Sequence, residues 1–142
     1  MGYFKDDQHF YQVYEEFLKR VLADPSVGSK LAKSNVKIRF NYTDPEATIL
    51  LNFSDPPAEG MYGSYELGNS GAEADVTMTQ SADFSHRFWQ GKENAVTSLA
   101  SGKIKASGEI QKAMALVTAI RPTFLMYKNV LKDLGYADMI ID

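Results

Sequence analysis

The apolar residues Phe10, Val13, Tyr14, Phe17, Leu18, Val21 and Leu22 recur at steps of three and four, with Glu15, Glu16, Lys19 and Arg20 on the other side. That is the period of a helix with one buried face, so an amphipathic opening helix is predicted. Asp24-Pro25 ends it, because the residue before proline is pushed out of the α region, and Ser26 to Lys33 can form a short second helix. From Val36 the period falls to two: Val36, Ile38, Phe40 and Tyr42 alternate with Lys37, Arg39 and Asn41. A strand is expected there, then a turn at Thr43-Asp44-Pro45-Glu46 and a second strand through Ile49, Leu51 and Phe53. Leu50, on the opposite face of that strand, hints that the sheet is partly covered on both sides.

Met61 to Leu67 and Glu73 to Thr79 read as two further strands around Gly68-Asn69-Ser70-Gly71, and an antiparallel meander is the simplest assembly. Ser81 can cap a helix that carries Phe84, Phe88 and Trp89 and ends at Gly91; Asn94 can cap another that ends at Gly102. A strand from Lys103 to Ser107 then leads through Gly108 into a helix from Glu109 to Ile120. Pro122 interrupts the helical pattern before a last run through Leu134. The class is α+β, in a single domain spanning residues 1–142.

The helix from Glu109 carries more apolar surface than one core-facing stripe requires. Ile110, Ala113, Met114 and Val117 make one face and Leu116 and Ile120 widen it; beyond Pro122, Phe124, Tyr127, Val130, Leu131 and Leu134 form a stripe that Leu125 and Met126 extend. Such a surface is covered by protein, by a partner or by an apolar ligand, and an ordinary central core helix accounts for the same pattern. Phe84 and Phe88 suit docking of their helix on the sheet, while Trp89, next to the helix end, suits a half-exposed rim.

Charge and composition narrow the chemistry. Fifteen basic residues against 18 acidic give a formal charge of −3, with no basic stripe, so nucleic acid is not an expected partner. The absence of cysteine removes disulfides, thiolate catalysis and cysteine-bound metal. The acidic start lacks the pattern of a signal peptide and no run reaches 18 apolar residues, so a cytoplasmic, unanchored protein with at most transient membrane contact is expected. His9 and His86 stand beside no nucleophile; Asp83 and His86 are read as surface residues rather than metal ligands, and Gly68-Asn69-Ser70-Gly71 as a turn rather than a nucleophile elbow. No catalytic residue, metal or cofactor is expected.

From about Val36 to Ile120 the order of elements resembles the sterol carrier protein-2 family of lipid-binding domains. The resemblance is carried by Ala74-Asp75-Val76-Thr77-Met78-Thr79, by Ser81, Asp83 and Phe84 at a helix start, and by Gly91-Lys92, Gly102-Lys103-Ile104-Lys105 and Gly108. It implies a five-stranded, largely antiparallel sheet covered on one face by helices, with an apolar tunnel between them. It further implies a non-catalytic carrier for a sterol, fatty acid, acyl-CoA or similar lipid. The opening helix and the region past Pro122 look individual to this chain. Residues expected to bind the ligand are Phe84, Phe88, Trp89, Ile104, Ile110, Met114, Val117, Ile120 and Phe124. The alternative is an accessory or dimerisation module, in which a second copy or an enzyme acting on hydrophobic substrates covers the surplus apolar face.

Overall fold

A computed structural model describes residues 2–68 and 71–141, so Asn69 and Ser70 of the glycine-rich turn lie outside the described residues. Helix α1 (Asp7–Ala23) opens on Asp6, whose carboxylate accepts from the His9 amide, and helix α2 (Pro25–Ala32) opens on Asp24, which accepts from Ser26 and Val27. Strands β1 (Lys37–Thr43) and β2 (Ala47–Asn52) form the expected antiparallel pair, with β3 (Ser64–Leu67) on the outer side of β2.

Here the meander ends. Strand β4 (Val76–Ser81) pairs with β1, in parallel, instead of with β3, and β5 (Lys105–Gly108) adds antiparallel to β4. The sheet order is β3-β2-β1-β4-β5, largely antiparallel with one parallel pair at its centre. The eight residues 68–75 are too long for a tight hairpin, which uses about 2–5, and reach easily across the roughly 14 Å from β3 to β4 at ~4.8 Å per strand. Asp75 pins the arriving chain: its amide donates to the Lys37 carbonyl at 2.8 Å, and its carboxylate accepts from the Lys37 amide at 3.0 Å. The Arg39 guanidinium donates to the Ala72 carbonyl.

After β4 come α3 (Ala82–Phe88), α4 (Ala95–Ser101), α5 (Ile110–Val117) and α6 (Thr123–Asp133). The caps follow the sequence: the Ser81 hydroxyl accepts from Phe84 at 3.0 Å and Asn94 accepts from Thr97 at 3.0 Å. Gly108 stands at φ +90°, and a Cβ there would run into the Asp75 carbonyl, so the junction from β5 into α5 requires glycine.

The helices cover the sheet face formed by Ile38, Phe40 and Tyr42 with Ile49, Leu51, Val76 and Met78. Leu50 is buried on the other face, in line with its place in the sequence pattern. Helix α1 is the principal cover and buries Phe10, Val13, Tyr14, Phe17, Leu18, Val21 and Leu22. The stack of Phe10 on Tyr14, with ring centroids 4.1 Å apart, holds it against Tyr42 at 4.6 Å.

Candidate functional site

Between sheet and helices lies a cavity of about 80 Å³, partly open to solvent. Its floor is the inward face of the sheet, with Ile38 and Phe40 from β1, Leu51 from β2, and Met78 and Gln80 from β4. One wall is α1, through Phe17, Leu18, Val21 and Leu22; the other is assembled from Phe88 and Trp89, Ala95 and Leu99, Ile104, and Met114, Leu116 and Val117 of α5.

Phe40 is the diagnostic position. It occupies the middle of the central strand, faces inward between the fully buried Ile38 and Tyr42, and is nevertheless only half-buried. A side chain at the centre of a packed two-layer domain is normally covered on all sides. It lines the cavity, which accounts for that exposure.

The two walls differ. All four lining residues of α1 are buried, whereas Phe88, Trp89, Leu99, Met114, Leu116 and Val117 are half-buried. Among the residues of α5 only Ala113 is buried, and its N-cap Glu109 makes no side-chain capping hydrogen bond. The α3–α4 corner is fixed by an ionic clasp: Glu93 accepts from Arg87 at 3.0 Å and from Lys103 at 3.3 Å. Arg87 is the main cause that holds the Glu93 carboxyl below its ordinary range.

Of the residues expected from the sequence, the structure brings Phe88, Trp89, Ile104, Met114, Val117 and Ile120 together on the lining. Phe84, Ile110 and Phe124 are placed off it. Phe84 sits one helical turn before Phe88 and is buried in the core. Ile110 starts α5 a turn ahead of Ala113. Phe124 lies against Gly91, where a Cβ would approach its ring to 3.3 Å, with its ring centroid 6.3 Å from that of Phe88. Sequence reasoning missed the α1 residues and Phe40, Met78 and Gln80. Inward alternation marked the strand residues, but a core stripe and a cavity wall have the same period on a helix.

Beside the cavity, a buried polar network ties α1, α3 and α6 together. The Tyr14 hydroxyl lies 2.6 Å from the Ser85 hydroxyl, and His86 is fully buried, not on the surface as its sequence position suggested. Nε2 of His86 donates to the Met139 carbonyl at 2.7 Å, which leaves Nδ1 to accept from the Tyr127 hydroxyl at 2.8 Å. Gln90 accepts from the Ile141 amide at 2.7 Å and so holds the chain end over α3. Burial is the chief cause lowering the His86 pKa, and it raises those of Tyr14, Tyr42 and Tyr127. Among the described residues no three His, Cys, Asp or Glu side chains are grouped to hold a metal, and no helix is long and apolar enough to cross a membrane.

A five-stranded sheet with helices on one face and an apolar cavity between the layers defines a recognisable class of domain. The model of the SCP-2 sterol transfer family matches residues 15–121, and the chain belongs to that family. The match begins inside α1 and takes in the second half of that helix, which looked individual in the sequence. Sterol carrier protein 2 from Yarrowia lipolytica, in its apo form, is 24% identical over 75% of this chain and 88% of its own, with a TM-score of 0.57. Palmitated SCP2L2 from Aedes aegypti is 21% identical over 78% and 93%, with a TM-score of 0.54. A stereoselective inverting sec-alkylsulfatase, Pisa1 from Pseudomonas sp., is 18% identical over 72% of this chain but only 15% of its own length, with a TM-score of 0.56. No curated protein matches the chain.

Proposed function

We propose that the protein is a non-catalytic carrier that holds an apolar lipid in the cavity between its sheet and helices. The half-burial of Phe40 at the centre of the inner sheet face supports this reading most strongly, because it marks core space that no side chain fills. Nearly all of the surrounding side chains are hydrocarbon or aromatic. Each methylene moved from water into such a site contributes about 0.8 kcal/mol, so an acyl chain or ring system binds with few polar contacts. Family membership and the palmitated relative from Aedes aegypti agree with a fatty acyl chain or sterol-like skeleton as cargo.

Phe88, Trp89, Ile104, Met114, Val117 and Ile120 would contact the ligand, with Phe17 and Leu18 opposite them. Helix α5, little buried by the rest of the protein, would gain its cover from the cargo. Organic extraction of the purified protein followed by mass spectrometry, alongside its native mass, tests the reading. Lipid in stoichiometric amount on a monomer is expected. A lipid-free protein that forms a tight dimer and ignores added fatty acids would favour the interaction module.

A further inference from the structure

One residue of the cavity does not fit a purely hydrocarbon cargo. Gln80 lies at the end of β4, and its neighbours on the same face, Val76 and Met78, are buried core residues. It is itself only 7% exposed and lines the cavity. Across the parallel pair it stands in register with Tyr42, two residues along β1 from Phe40. Among the described residues its side-chain amide has no hydrogen-bonding partner in the protein, and it is not wholly buried, as His9 Nε2 is, but open to the cavity space. The other polar side-chain atoms on the lining belong to Trp89 and Thr123, and the Thr123 hydroxyl already donates to the Ile120 carbonyl.

An amide that faces an apolar chamber without a protein partner has its hydrogen bonds free for whatever fills the chamber. An amide offers one acceptor oxygen and two donor protons, and no charge. No Lys, Arg or His lines the cavity, so an ionised carboxylate drawn inside would be desolvated without a counter-charge. A hydroxyl or a carbonyl oxygen carries no such penalty.

Resting on the carrier reading above, we infer that Gln80 is a specificity residue: the cavity takes a lipid that brings an uncharged oxygen, as an alcohol, ketone or ester, inside to hydrogen-bond the Gln80 amide. A fatty acid, in contrast, leaves its carboxylate at the opening and makes no use of Gln80.

The test is displacement of an apolar fluorescent probe from the full chain by 1-dodecanol and by dodecanoate, in wild type and in Gln80→Met, which keeps the side chain's length and removes the amide. With each ligand referred to that protein's own probe affinity, dodecanol is expected to weaken about fivefold relative to dodecanoate in the variant, the worth of one neutral hydrogen bond. Equal dodecanol affinity in both proteins overturns the inference and leaves the carrier reading standing. So does an equal loss for dodecanoate, since the carboxylate would then reach Gln80. If neither compound nor the probe binds wild type, the carrier reading fails and this inference with it. Should Gln80→Met not fold, the Gln80 side-chain amide signal of the isotope-labelled wild type decides: a shift on adding dodecanol but not dodecanoate supports the assignment, and no shift overturns it.

Discussion

Helices α1 and α5 face each other across the same cavity but hold their places by different means. Helix α1 buries eight side chains, stacks Phe10 on Tyr14, and is tied to α3 by the Tyr14–Ser85 hydrogen bond and to α6 by the Arg20–Asp133 ion pair. Helix α5 buries Ala113 alone and leaves Met114, Leu116 and Val117 half-covered. Both are amphipathic, and the period of their apolar residues does not separate them. The contrast is between a wall fixed by the protein's own packing and a wall whose apolar face is left for something else to cover.

Substitutions can break that contrast, and the largest effect belongs to α1. Phe10→Ala removes a fully buried ring and is expected to cost about 3–5 kcal/mol in denaturant unfolding, against roughly 1 kcal/mol for Met114→Ala. Equal costs would mean that α5 is as much a part of the core as α1. Next comes Met114→Glu, which places a charge in the apolar chamber from a half-exposed position. It should leave the fold intact by circular dichroism and weaken an apolar probe by at least about tenfold. A folded variant with unchanged affinity removes Met114 from the ligand's surroundings.

Acid should loosen the α1 side. Burial lowers the pKa of His86, and of His9, below the ordinary 6.5, so the unfolded chain takes up these protons at a higher pH than the fold does. Stability is therefore fully present above pH 6.5 and falls as pH drops below it. Unfolding midpoints at pH 7.5 and pH 5.5 measure this, and equal midpoints would contradict it. The smallest effect is at Gln80, whose amide has no partner in the protein but is open to the cavity: Gln80→Met should leave the stability of the ligand-free protein within about 1 kcal/mol in the same assay. A larger loss would mean that the amide has a partner within the fold.

Much of this organisation was legible in the chain. The period-3.6 and period-2 runs, the Ser81 and Asn94 caps and the proline and glycine stops placed the helices and strands closely, because each rests on contacts a few residues apart. The central parallel pair was not legible, since nothing local in β4 distinguishes β1 from β3 as its neighbour. Nor was the burial of His86, whose partners Tyr127 and Met139 arrive from 41 and 53 residues away. The cavity was half legible. Excess apolar surface marked Met114, Val117 and Ile120, but Phe17 and Val21 read as plain core. Gln80 had a signal that went unused: Val76, Met78 and Gln80 alternate, which puts a polar side chain on the inward face.

Trp89 gives the most direct test, because it is the only tryptophan in the chain and lines the cavity. Its fluorescence should be quenched in a saturable, one-to-one manner by a fatty acid brominated along its chain, and the unbrominated acid should compete the quenching away. Quenching that rises without saturation, or none at all, would contradict a lipid held between the sheet and the helices.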